Sequence, residues 1–467
     1  MESKFSAQII DCVEQNLDGF VNDLSSLIAI PSVRDLTTQS ENAPFGFHIR
    51  QAFDYLMDFA KREGLDVRDH QGYALDISYG QGDQEIALLH HVDVVPAGHD
   101  VLWRTPPYRM TKVGNMIFGR GVTDNKGPLM ASLYIIKLFK KLNVPLTKKI
   151  RIIIGGAEET NWECVEHYFL HNPQPEYGFS PDGDFPIVNG EKGILYASLE
   201  KNFSTRESNS ACQIIRIESE RDRTSTCHHL TIELAGTDAA KVAGQFAAFA
   251  DVIDCQSYYR VEFSTPWEKS RNPHKVDNCV DKFVSIMPNV LGLDINSTHL
   301  VDLLISKFAN DHAGKKLGLH HHDDEMGQTT CCVSAINMDS SGYSLDFDFR
   351  FPKGLCIEQV RSQLLALSQQ TGMNFVEHQY LPLSYLSPES PLIQAMGKAY
   401  FEVTGTHADC FSKGAASYAR ALKHGVAFGP TFPDEKTFVH EPNEQLNLES
   451  LIKAIKIYVK VLISLQE

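Results

Sequence analysis

The sequence predicts an α/β fold with a mainly parallel central sheet, interrupted by an inserted α+β lid domain. Three observations point to it. At 467 residues the chain exceeds the roughly 250–300 at which a single hydrophobic core usually divides. Strand-like apolar runs alternate with helical patterns through its first part, the rhythm of βαβ units. The texture then changes after about Glu200 and reverts near Leu386-Ser387-Pro388, so two outer segments enclose a middle of different character.

Taken in order, a helical pattern at His48–Arg62 closes at Gly64, a strand follows at Tyr73–Ser78 and an apolar run at Ile86–His90. A helix is expected from Gly127 to Leu142, with Pro128 in the first turn where proline is tolerated, and a strand at Lys149–Ile154. The middle opens on a polar stretch, Asn202–Arg223, followed by a strand at Leu230–Leu234, a helix at Asp238–Ile253 and a strand at Arg260–Phe263. Strands at Thr329–Met338 and Tyr343–Phe351, a helix at Ile357–Gln370 and a strand at Met373–His378 repeat that strand–helix–strand rhythm, which suggests an internal repeat. The last part reads as helices at Pro391–Val403, Ala415–Lys423 and Leu448–Leu465 around a short strand at Val426–Phe428. The expected division is 1–198 and 385–467 for one discontinuous domain and 199–384 for the lid.

Composition excludes several classes. A hydrophobic fraction of 43% with 22% charged residues is that of an ordinary globular protein. The net charge of −16, with basic residues scattered among acidic ones, argues against a nucleic-acid partner. Met1–Asp18 alternates apolar and charged residues without the apolar core and cleavage site of a secretory signal, and no apolar run approaches the roughly 18 residues that span a bilayer. No membrane partner and a cytoplasmic location are therefore expected. The ten cysteines are dispersed without a Cys-x-x-Cys pair, and the vicinal Cys331-Cys332 sits in an apolar strand pattern; buried reduced thiols are expected.

Five short settings carry chemistry: His90-His91-Val92-Asp93, Gly119–Pro128 with Asp124, Ala157-Glu158-Glu159-Thr160, Ser180-Pro181-Asp182-Gly183, and Val439-His440-Glu441-Pro442-Asn443-Glu444. Singly, each has a plain structural reading as a loop pair, a helix start or a tight turn. Together, imidazole nitrogen and carboxylate oxygen without thiolate suit zinc, with cobalt or manganese as substitutes, in a hydrolytic role. Two ions close together need a shared carboxylate, for which Asp124 is the candidate. The remaining ligands divide as His91 with Asp182 and Glu159 with His440. Asp93, two residues after His91, is placed to accept the second imidazole N–H, and Glu158, beside a ligand, is the candidate general base.

The order and wording of these segments resemble the cocatalytic zinc exopeptidases and deacylases that include carnosinase, aminoacylase and succinyl-diaminopimelate desuccinylase, and most of all the peptidase V type of bacterial dipeptidase. The resemblance extends to Ile30-Pro31-Ser32-Val33, Asn189–Gly193, Asp346–Pro352, Tyr418-Ala419-Arg420 and Ala427–Pro430. It implies a phosphorylase/hydrolase-like zinc exopeptidase catalytic domain, two zinc ions on His91, Asp124, Glu159, Asp182 and His440, and a metal-bridging hydroxide that cleaves a small peptide with a free N-terminus. It further implies that Arg350, closing Asp346-Phe347-Asp348-Phe349-Arg350, clamps the substrate carboxylate, and that the enlarged lid makes the protein a monomer. The chain departs from the pattern in two places. Where relatives carry an oxyanion-supporting lid histidine, Ser264–His274 offers Lys269 by alignment of prolines, or His274 after a shift. Where they carry a glycine-rich substrate loop, this chain has Lys413-Gly414-Ala415-Ala416, leaving Gly414 for backbone approach. An N-acyl amino-acid deacylase using the same centre and a catalytically weakened metal-binding homologue stand as alternatives.

Overall fold

The apolar run Ile86–Leu89 and the run Ile150–Ile154 lack the polar alternation of a half-exposed strand, and both lie in strands covered on each face. They belong to Glu85–His91 and Lys149–Gly155, which pair in parallel. The computed structural model describes residues 8–466 apart from 10, 14 and 205–209; the amphipathic stretch expected at Met1–Asp18 falls partly outside these. The chain divides into two compact units, one comprising the chain up to Gly190 with Ser384–Phe411 and Ser417 onward, the other Glu191–Leu383 with Ser412–Ala416.

The first unit is built on a nine-stranded sheet. Its main path runs Asp66–His70, Ala74–Tyr79, Lys149–Gly155, Glu85–His91, Tyr177–Ser180, Gly425–Ala427, Ile187–Glu191, Ser384–Tyr385. The centre is parallel, from Lys149–Gly155 through Glu85–His91 and Tyr177–Ser180 to Gly425–Ala427. The flanks are antiparallel, because Asp66–His70 returns as Ala74–Tyr79 through a tight turn with positive φ at Gln71 and Gly72. Helices Phe47–Glu63, Lys126–Lys141, Pro391–Thr404 and Leu448–Ser464 each bury an apolar stripe in one core with these strands. The first of them ends at Gly64 in the left-handed conformation that glycine adopts without strain. The helix expected at Ala415–Lys423 is instead a single 3-10 turn, Tyr418–Ala421, after a strand at Cys410–Lys413.

Every pairing in the second unit's eight-stranded sheet is antiparallel, in the order Asp251–Asp254, Tyr259–Ser264, His229–Ala235, Gln213–Ser219, Thr330–Met338, Gly342–Phe351, Gly193–Asn202, Asn374–Leu381. Strand Gly193–Asn202 lies whole in this unit. Leu230, Ile232 and Leu234 alternate inward against helices Ala239–Phe246, Cys279–Ile286, Ile295–Leu303 and Ile357–Thr371. The helix expected to run to Ile253 stops at Phe246, since Val252 and Ile253 are taken up in a ladder with Val261 and Arg260. Six of the ten cysteines are buried, Cys331 and Cys332 among them. Among the described residues no helix is long and apolar enough to cross a membrane.

One buried carboxylate braces the loop that carries Asp124. Glu444, fully enclosed, accepts hydrogen bonds from the Arg120 guanidinium (2.8 Å) and from the backbone N–H groups of Gly121 (2.9 Å), Thr123 (2.9 Å) and Asp124 (3.1 Å). Arg120 in turn lies over the Trp103 ring. Removing one partner strands the other's charge in the interior. Glu444→Ala is expected to lower unfolding free energy by about 3–5 kcal/mol in urea titrations, and an added Arg120→Met to recover part of that loss. A second test concerns Gly155, where a methyl group would collide with the Tyr418 hydroxyl and approach the Cys164 sulfur to 2.8 Å. Gly155→Ala is expected to cost about 1–3 kcal/mol by the same measurement.

Candidate metal centre

Ligands far apart in sequence meet because neighbouring parallel strands end on the same edge. His91 closes Glu85–His91, Glu158 and Glu159 follow Lys149–Gly155, Asp182 follows Tyr177–Ser180, and Asp124 precedes helix Lys126–Lys141. His440 comes from the loop before Leu448–Ser464, in a left-handed conformation with φ of 65°.

The geometry centres on Asp124. Its Oδ1 lies 2.9 Å from His91 Nε2, and its Oδ2 lies 3.0 Å from His440 Nε2. His91 Nε2 is 3.6 Å from Asp182 Oδ2, and His440 Nε2 is 3.0 Å from Glu159 Oε2. One carboxylate thus has an imidazole–carboxylate pair on each side. Ligand atoms of His91, Asp124 and Glu159 lie within 4.8 Å of one another.

These residues fit a metal on two counts. Buried polar atoms are normally hydrogen-bonded, yet His91 Nε2 and Asp124 Oδ1 are buried without a hydrogen bond despite their proximity. The donor set also gathers Asp124, Glu158, Glu159 and Asp182 around two imidazoles, and such a concentration of like charge calls for cations. The strain shows in the proton affinities. Burial, followed by the Asp124 charge, pushes Glu159 up to about 7. Burial also raises Glu158 well above the usual carboxylate range, with Asp182, Glu159 and Asp124 adding to it. Burial would raise Asp124 as well, but its contacts with His440 and His91 outweigh this and lower it.

Asp93 serves two purposes. His91 Nδ1 lies 3.0 Å from the Asp93 backbone carbonyl and 3.4 Å from its carboxylate, while that carboxylate accepts from the backbone N–H of Glu158 (3.2 Å) and of Glu159 (3.0 Å). The expected contact to the imidazole is therefore shared with the main chain, and the side chain also anchors the glutamate turn. Arg34 ties the far end of that turn through Thr160, Asn161 and Glu163. Ser32 hydrogen-bonds the Val92 carbonyl at 2.6 Å, which gives the Ile30–Val33 segment its task. Sequence reasoning assigned no role to Arg34, Ser32, Asn125 or Glu444; only a buried-polar accounting, which needs coordinates, singles them out.

The remaining expected site residues lie in the second unit. Arg350 is buried and its guanidinium is engaged by Asp348 (2.6 Å), the Tyr196 hydroxyl (3.1 Å), the Ser270 hydroxyl (3.4 Å) and the Gly414 carbonyl. In this arrangement it is an internal cross-brace rather than an open clamp. Lys269 and His274 are exposed; the Lys269 backbone N–H bonds the Glu268 carboxylate (2.9 Å), and His274 lines a cavity of about 810 Å³ with Asp281, Lys282 and His312. A methyl group at Gly414 would meet Arg271 only at 3.5 Å, so that glycine is not sterically required.

The family profile of peptidase family M20/M25/M40 matches residues 87–464. The chain is 32% identical over 466 residues to a "Putative dipeptidase" of Staphylococcus aureus (strain USA300), covering 97% of this chain and 98% of that one. It is 29% identical over 455 residues to "Putative dipeptidase YtjP" of Bacillus subtilis (strain 168), covering 96% and 97%. Human carnosine dipeptidase 1 shares the fold with a TM-score of 0.60 at 17% identity, over 100% of both chains. An M20 metallo-carboxypeptidase of Sulfolobus solfataricus does so at 0.57 and 18%, over 95% and 98%. The chain belongs to peptidase family M20/M25/M40, a family of metal-dependent hydrolytic peptidases.

Proposed function

We propose that the protein is a dinuclear zinc dipeptidase, with cobalt or manganese as workable substitutes, acting as a monomer on short peptides with a free N-terminus. The observation that carries this reading is the two-sided Asp124 carboxylate, with His91 and Asp182 on one side and His440 and Glu159 on the other. The dipeptidase names of the relatives that match end to end support the substrate class. When bound, divalent ions supply Lewis acidity and lower the pKa of water.

This chain's residues supply the rest. Asp93 and Arg34 hold the turn that aims Glu158 and Glu159. Glu158, whose proton affinity is raised by burial, is suited to take a proton from the attacking water and return it to the leaving amine. Because the shift is upward, the charged form is lost as pH falls, and kcat measured across pH is expected to rise with pH as that group ionises. Recognition of the peptide's carboxylate by Arg350 requires it to exchange the Gly414 carbonyl or the Ser270 hydroxyl for the substrate. Lys269 and His274 stay the lid residues proposed for supporting the oxyanion.

The test is turnover of a dipeptide panel against N-acetyl amino acids, with metal content read in parallel. The wild type is expected to hydrolyse dipeptides with two ions per chain, and Glu158→Gln to keep both ions while losing at least about three orders of magnitude in kcat. Preference for the acetylated substrates would reassign the protein as a deacylase, and a wild type as inert as Glu158→Gln would make it a binding homologue.

A further inference from the structure

The metal centre leaves His90 without a task. Successive strand side chains point to opposite faces, so His90, next to His91, points away from the ligands and into the packing beneath helix Lys126–Lys141. It is fully buried, and its hydrogen-bond partners are both neutral groups. Both ring nitrogens are partnered, Nδ1 with Asn125 Oδ1 at 2.5 Å and Nε2 with Ser132 Oγ at 2.9 Å. Asn125 in turn places its Nδ2 2.9 Å from the Pro181 carbonyl and 3.0 Å from Asp182 Oδ1.

Every orientation in this chain of bonds is determined. The Pro181 carbonyl can only accept, so the Asn125 amide presents its NH2 group to it and to Asp182. Its oxygen therefore faces His90, which must carry its proton on Nδ1 and accept from the Ser132 hydroxyl at Nε2. Both N–H groups of the Asn125 amide and one lone pair of its oxygen are thereby used. Asp182 has Oδ1 pinned and only Oδ2 turned toward His91.

We infer that His90 is a positioning residue: through Asn125 it fixes Asp182 as a one-oxygen ligand of the ion on the His91 side of the centre. This rests on the dinuclear reading above. Partners of metal ligands typically change metal affinity or activity 10–100-fold when lost. The effect belongs to one ion, because the network reaches Asp182 and none of its bonds reaches Glu159 or His440.

Two amide substitutions separate positioning from filling. In His90→Asn the side-chain amide sits where Nδ1 does and keeps a donor for Asn125; in His90→Gln it sits where Nε2 does, keeps Ser132 and loses Asn125. Stepwise zinc affinities are measured by chelator competition on metal-stripped protein, with apo-protein melting and the kcat and KM of dipeptide turnover alongside. His90→Gln is expected to weaken one of the two ions about 10–100-fold with the other unchanged, and to lower kcat more than it alters KM. His90→Asn is expected to stay within a few-fold of wild type. Equal metal affinities for both variants and wild type, or equal losses in both variants, would overturn the inference while leaving the dinuclear reading in place. A wild type that takes up fewer than two ions overturns that reading, and the inference with it.

Discussion

The constraint on which the rest of the structure depends is the crowding of carboxylates at one edge of the first unit's sheet. Asp124, Glu158, Glu159 and Asp182 would repel one another severely in an apolar setting, and the raised proton affinities of Glu158 and Glu159 express first their burial and then that repulsion. Bound metal cations would turn the same arrangement from a liability into a binding site. The parallel core makes it possible, since Lys149–Gly155, Glu85–His91 and Tyr177–Ser180 deliver their following residues to one place.

Holding those residues still is the work of buried groups that touch no substrate. Glu444 holds three backbone N–H groups of the loop that carries Asp124, Asp93 anchors the glutamate turn, and Asn125 pins Asp182. Each is a charged or amide group whose hydrogen bonds are satisfied in the interior, where such bonds are strong and their loss is costly. These bonds hold the ligand side chains in one arrangement, the preorganisation that rapid chemistry requires.

The candidate ligands stand out in sequence because each sits in a short, distinctive setting; His91 and Glu159 follow apolar strand runs, whereas Asp124 and His440 lie in loops. The strands and long helices of the first unit were legible for the same reason: Phe47–Glu63, Lys126–Lys141 and Leu448–Ser464 have clean helical periods. Strand Gln213–Ser219 was hidden inside a polar stretch because a register shift between Ile214 and Arg216 breaks its period-two pattern. The antiparallel pairing of Ala74–Tyr79 with Lys149–Gly155 is long-range and local pattern does not encode it, while Asp251–Asp254 is drawn into a hairpin with Tyr259–Ser264 despite sitting at the end of a helical pattern. Arg350 shows the converse: the family resemblance implied a carboxylate clamp, and the structure buries the guanidinium against Asp348 of the same strand.

The central claim is that Asp124 is shared between two metal ions. Anomalous diffraction at the zinc edge from zinc-loaded crystals tests it most directly. Two peaks are expected roughly 3.5–4 Å apart, each within coordination distance of one Asp124 carboxylate oxygen, one beside His91 and Asp182 and the other beside His440 and Glu159. A single peak, or a pair that does not flank Asp124, would contradict it.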